Sequence, residues 1–221
     1  MSSPDSMEPS MNTLHYIFDP LCGWCYGASA TLAALAGAEG VRLELLPSGL
    51  FQEDGARPMD DGFAAYAWSN DQRIERLTGQ RFSQRYRDHV LADRVQRFDS
   101  GPATRALTAV SMTAPEREVE ALKAIQLARY VDGKDVTQSD VLAATLDALG
   151  LSDAARILRA DTPALQAAVD ARVAEAQAVM QRFGARGVPS FVLESGGRRQ
   201  LLHAGTAYSD PAAFLAQVTA A

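Results

Sequence analysis

The stretch FDPLCGWCYG at residues 18–27 holds both cysteines of the chain, Cys22 and Cys25, at a seam between two kinds of sequence. Before it, LHYIF (residues 14–18) is apolar, rich in β-formers and closed by Asp19-Pro20, the pattern of a buried strand running into a turn. After it, GASATLAALAGAEG is rich in alanine and leucine and stops at Gly37 and Gly40, which predicts a helix with a glycine terminator. VRLELL (residues 41–46) alternates apolar and charged residues ahead of Pro47 and reads as a second strand. Strand, helix and strand within about 35 residues make a crossover unit with parallel strands. The Cys-x-x-Cys pair stands at the start of its helix.

Three chemistries compete for such a pair. A structural disulfide would enclose only Gly23 and Trp24, and so short a loop constrains the unfolded chain little. A structural zinc site needs four ligands, and only His15, His89 and His203 could complete the set, with no second Cys-x-x-Cys to help. His15 and His203 fall in predicted strands and His89 in a charged helical run, so no metal site is expected. A working dithiol has a mechanism: unpaired backbone N–H groups and the positive end of the helix dipole favour a thiolate at Cys22. Cys25, three residues on and on the same side of the first turn, can resolve a mixed disulfide formed there. Gly23 lets the backbone pass close to the attacking sulfur, although glycine in a first turn is also simply poor helix chemistry.

A second signal is Gly187-Val188-Pro189-Ser190, where a proline immediately precedes an apolar strand. Either a cis Val188-Pro189 bond or a strand beginning at a sheet edge accommodates it. A Gly196-Gly197 turn, a further strand over residues 199–203 and a helix opened by Asp210-Pro211 follow Ser190–Glu194. Between the two signals, residues 59–160 show helical patterns and no strand. Residues 60–77 gather Phe63, Tyr66, Ile74 and Leu77 on one side, Thr113 and Glu116 fit a capping box, and Thr137 with Asp140 opens a helix ending at Gly150. Thr162-Pro163 starts a long helix with a stripe of Leu165, Val169, Val173, Ala176, Met180 and Phe183. The organisation expected is α/β: a discontinuous domain over residues 12–58 and 162–221, a helical insertion over 59–161 and a flexible leader over 1–11.

Composition narrows the partners. With 21 Lys and Arg against 27 Asp and Glu, a net charge of −6 and no basic block, a nucleic-acid partner is not expected. No run approaches the ~18 to 20 apolar residues that span a bilayer, so no membrane association is expected. The start, MSSPDSMEPSMNTL, lacks the basic residues and apolar core of a secretory signal, and Met11 could serve as an alternative start. A cytoplasmic protein is expected, in a compartment that keeps ordinary thiols reduced.

Cys22, Trp24, Cys25, Val188 and Pro189, in this order of elements, make the chain resemble the thioredoxin fold of the DsbA-like thiol–disulfide oxidoreductases. It looks most like the FrnE-like group of cytoplasmic members, which share a C-x-W-C opening and a large helical insertion. The resemblance implies a thioredoxin-like fold with an inserted all-helical domain. It also implies a cis Pro189 facing Cys22 and a Val188 whose backbone pairs with an extended substrate peptide. The activity implied is disulfide exchange or isomerisation with protein thiols or small thiols, glutathione among them, with no cofactor beyond the Cys22–Cys25 pair.

Two departures stand out. DsbA has a histidine where this chain has Trp24, which brings no positive charge to a thiolate, so a less oxidising dithiol is expected. Thioredoxin-like strands often carry an acid six residues before the nucleophile, and Tyr16 stands there instead. Trp24 could face substrate or pack on the insertion, whereas Tyr26, Phe63, Tyr66 and Trp68 are expected in the core. Two other functions remain open. One is the glutathione-dependent isomerases and kappa-type transferases of the same fold, which use a single serine at the first cysteine position; the other is a redox-switched peptide-binding holdase.

Overall fold

The computed structural model describes residues 11–220; apart from Met11, the expected leader lies outside the described residues. β1 (Asn12–Phe18) is followed by α1 (Gly23–Gly27), α2 (Ser29–Ala36) and β2 (Val41–Pro47), which pairs parallel to β1. At the far end of the chain, β5 (Ser190–Ser195) and β6 (Arg198–Leu202) form a hairpin that joins β1 antiparallel, giving the order β2-β1-β5-β6. The central strand β1 is buried on both faces, which is why LHYIF, His15 apart, reads as an apolar run. Leu14, Tyr16 and Phe18 pack with Leu32 and Leu35 of α2 and with Phe214 and Val218 of α11 (Pro211–Thr219). Ile17, Leu46 and Val192 face the other way, under Ala176 and Val179 of α9 (Pro163–Phe183). This is a thioredoxin-like fold.

The insertion hangs between β2 and α9. It comprises α3 (Asp61–Thr78), α4 (Gln84–Tyr86) running into a π-helical turn (Arg87–Leu91), and then α5 (Gly101–Thr113), α6 (Glu118–Tyr130), α7 (Ser139–Ala148) and α8 (Ser152–Ala160). One buried apolar cluster runs from the sheet into these helices, through Tyr26, Phe82, Tyr86 and Tyr130. The Tyr130 hydroxyl donates to the Leu21 carbonyl at 2.7 Å and so ties α6 to the loop that carries Cys22. Among the described residues, no helix is long and apolar enough to cross a membrane.

Several expectations need correction. The single helix expected after Cys25 is broken at Ala28, where two side chains compete for the helix carbonyls: the Ser29 hydroxyl donates to Tyr26 O and the Tyr16 hydroxyl to Cys25 O. The stretch expected to lack strands contains β4 (Arg97–Phe98), paired with β3 (Arg57–Pro58); two residues leave no period to read. Thr113 does not cap a following helix but closes α5, its hydroxyl donating to Ala109 O. Thr137 bonds Asp135 instead of capping α7. Tyr66, expected in the core, is 66% exposed, and Leu77 is also exposed.

Candidate active site

Cys22 takes the N-cap position of α1 with extended backbone, and both cysteines are free thiols. Cys22 is buried, at 8% exposure, and its Sγ donates to the Val188 carbonyl at 3.7 Å, next to a cis Val188-Pro189 bond. Val188 and Pro189 come from the turn before β5, so strand pairing between β1 and β5 brings the two sequence signals together. Cys25 lies one turn deeper and is fully buried. Burial, followed by the hydrogen bond and charge of Cys22, pushes its thiol well above the ordinary range. The two cysteines are therefore unequal: Cys22, though buried, lines a cavity, whereas Cys25 is sealed and burial pushes its thiol up.

Trp24, between them, packs on a neighbouring helix and on the insertion. Its ring meets Tyr208 of α10 (Gly205–Ser209) edge-on at 5.2 Å and lies under the Arg73 guanidinium of α3 at 5.5 Å. It also lines a cavity of about 140 Å³ beside Cys22, which is mostly apolar and is walled on one side by residues of the insertion. Phe63 and Tyr66, expected as core aromatics, are walls of that cavity, whereas Tyr26 is buried as expected. Trp68 is half-buried under the Arg87 guanidinium. Gly23 is fixed by a close approach: a Cβ there would lie 2.5 Å from Asp71 Oδ1 and 3.1 Å from the Ile74 side chain.

Sequence reasoning missed three buried charges around the dithiol. Asp19 is sealed in the turn after β1, accepting from Leu21 N, Phe51 N and the Ser100 hydroxyl, and burial raises its carboxyl to about 6. Asp71, 5% exposed, forms part of the cavity wall and accepts from the Tyr86 hydroxyl at 3.0 Å. Burial lifts it to about 7 despite that bond and the nearby Arg129 charge. Arg129 is fully buried, with its guanidinium 5.2–5.7 Å from the ring centres of Phe98, Tyr86 and Tyr130 and no hydrogen-bond partner among the described residues. A signal for two of them was present. Phe63, Ala67, Asp71 and Ile74 step by four, four and three along α3, and Leu122, Ile125 and Arg129 by three and four along α6, so each charge interrupts an apolar stripe.

His15 and His203 are apart from all this. His15 is held between Glu44 (3.0 Å) and Glu194 (3.4 Å) on neighbouring strands, and His203, just past β6, accepts from Gly205 N. No three His, Cys, Asp or Glu side chains cluster as metal ligands among the described residues.

Residues 13–210 match the DSBA-like thioredoxin domain. The cytosolic disulfide reductase DsbM from Pseudomonas aeruginosa is 36% identical over 94% of this chain and 97% of its own, with a TM-score of 0.84. Its structure with GSH aligns at 34% identity and TM-score 0.83, covering 94% and 98%. A Nitrosomonas europaea structure at 24% identity shares the fold, with TM-score 0.75 over 94% and 95%. No curated protein matches. The match over nearly the whole chain, on a fold that sets a Cys-x-x-Cys against a cis-proline turn, makes the chain a member of the DSBA-like thioredoxin domain family, whose chemistry is thiol–disulfide oxidoreduction.

Proposed function

We propose that the protein is a cytosolic disulfide reductase in which Cys22 attacks the substrate disulfide and Cys25 resolves the mixed disulfide. The observation that carries this reading is the inequality of the two sulfurs. Cys22 stands at a helix start beside the Val188 carbonyl with an open cavity next to it, while Cys25 is sealed beneath with its thiol held protonated. Val188 supplies the main-chain edge for an extended substrate, Pro189 and Trp24 flank the exchanging sulfurs, and Gly23 clears the approach. The similarity to a cytosolic disulfide reductase supports the reducing direction and the compartment, and the GSH-containing relative supports a small thiol as the partner that recharges Cys22–Cys25. Protein disulfides would enter the same exchange at Cys22, and isomerisation would use the same first step.

The reduction potential of the Cys22–Cys25 pair tests the direction. Equilibrated in glutathione buffers and followed by the fluorescence of Trp24, it is expected near the ~−270 mV of thioredoxin. A value near the ~−120 mV of DsbA would make the dithiol an oxidant and overturn the reductase reading, since 30 mV is worth about 1.4 kcal/mol for this couple.

A further inference from the structure

Reducing an alkyl disulfide creates a basic thiolate that must find a proton, and the strand position that often carries an acid in this fold holds Tyr16, whose hydroxyl donates to the Cys25 carbonyl. The insertion supplies a carboxyl from another direction. Asp71 on α3 and Cys22 line the same cavity, and Asp71 Oδ1 lies so close to Gly23 that a Cβ there would stand 2.5 Å from it. Its other oxygen is pinned by the Tyr86 hydroxyl. A carboxyl in an apolar wall, aimed at the residue beside the nucleophile, serves no packing purpose that an apolar side chain would not serve better.

We propose that Asp71 is the proton donor to the sulfur that departs when Cys22 attacks a substrate disulfide. The inference rests on the reductase reading above. The Cys22 thiolate forms a bond to one substrate sulfur as the substrate S–S bond breaks, and the electron pair leaves on the second sulfur. That sulfur takes the Asp71 proton and departs as a thiol, leaving Asp71 as carboxylate. Attack by Cys25 expels the first substrate sulfur, which leaves with the Cys25 proton, so the substrate gains two electrons and the dithiol becomes a disulfide. Two molecules of a small alkyl thiol reverse the exchange at the enzyme, and the first returns a proton to Asp71.

Asp71, raised to about 7 by burial, is present in both protonation states near neutrality, as a group that gives and regains a proton must be. The elements packed against α3 carry Cys25 and Tyr26 in α1, with Cys22 at its N-cap, Arg87, Asp88 and His89 in the π-helical turn and Tyr208 in α10. Tyr86 of α4 and Arg129 of α6 reach Asp71 from farther along the insertion. Of these, Tyr86 and Arg129 act on Asp71, and both favour its carboxylate.

The decisive comparison is between leaving groups. An alkyl disulfide such as oxidised glutathione expels a basic thiolate, whereas the aryl disulfide of nitrobenzoate thiols expels a weakly basic one that needs no proton. Asp71→Asn is expected to slow reduction of the alkyl disulfide about 10²-fold near pH 7, the scale of general acid catalysis, and to leave the aryl disulfide within about twofold. In the wild type the alkyl rate should fall as pH rises through Asp71's titration, and Tyr86→Phe, which removes a bond favouring the carboxylate, should move that fall to higher pH. Equal slowing of both disulfides by Asp71→Asn, or slowing of neither, would overturn the proposal, as would a Tyr86→Phe profile identical to wild type. A wild type that reduces the disulfides while either variant gives those results refutes Asp71 alone; a wild type inert toward both refutes the reductase reading and this inference with it.

Discussion

Cys22→Ser is expected to abolish disulfide turnover, by on the order of 10⁴-fold or more as when a covalent nucleophile is removed, while Cys25→Ser stalls it at an isolable mixed disulfide on Cys22. The asymmetry follows from burial. Cys25 is 0% exposed and held protonated by its surroundings, so it has neither the access nor the thiolate to replace Cys22 as attacker. Cys22 needs no help from Cys25 to attack, because its sulfur already meets the cavity and the Val188 carbonyl. Without Cys25 the mixed disulfide has no internal thiol to release it, and only external thiol can do so. Intact-mass measurement after exposure to oxidised glutathione checks this directly. One adduct on Cys25→Ser, released by dithiothreitol, is the expected result, against none on Cys22→Ser. An adduct on Cys25 in the Cys22→Ser protein would reverse the assigned roles.

How much of this was legible differs between the two halves of the fold. The β1-α1-α2-β2 unit and the β5-β6 hairpin announce themselves because period, turn residues and glycine stops are local signals, and the Cys-x-x-Cys and Val188-Pro189 pairs fall at element boundaries that those signals mark. The insertion is different. Its helices are readable one by one, but a helical stripe does not say which neighbour it meets, so Phe63 and Tyr66 read as core when they wall the cavity. Asp71 and Arg129 illustrate the limit best. Each occupies an apolar stripe, yet sequence alone cannot tell a buried charge from a frayed stripe edge, because the groups that act on it come from other elements, as Tyr86 and Arg129 do on Asp71. The break at Ala28 was hidden for the same reason, since Tyr16 reaches Cys25 from β1.

Arg129→Met is expected to destabilise the fold by about 3–5 kcal/mol at pH 8, the cost of removing one partner from a buried charge cluster. At about 2–4 °C per kcal/mol for a chain of this size, that is a fall in Tm of roughly 6 to 20 °C. The loss should shrink toward zero near pH 5. The Arg129 guanidinium sits among three rings, and methionine fills much of its volume there, so packing alone predicts a small effect. Charge predicts a large one, because Asp19 and Asp71 are both buried and both feel the Arg129 guanidinium. In the wild type burial raises these carboxyls from 3.8 to about 6 and about 7, so the fold binds protons more tightly than the unfolded chain. Their contribution to stability is therefore complete below about pH 4 and is lost as pH rises through about 6 and about 7. Removing Arg129 lifts both groups further and deepens that loss at pH 8, whereas at pH 5 both are largely neutral with or without the guanidinium. Thermal melts of the two proteins at pH 5 and pH 8 separate the terms. A loss of the same size at both values would mean that Arg129 acts by packing and compensates neither carboxylate.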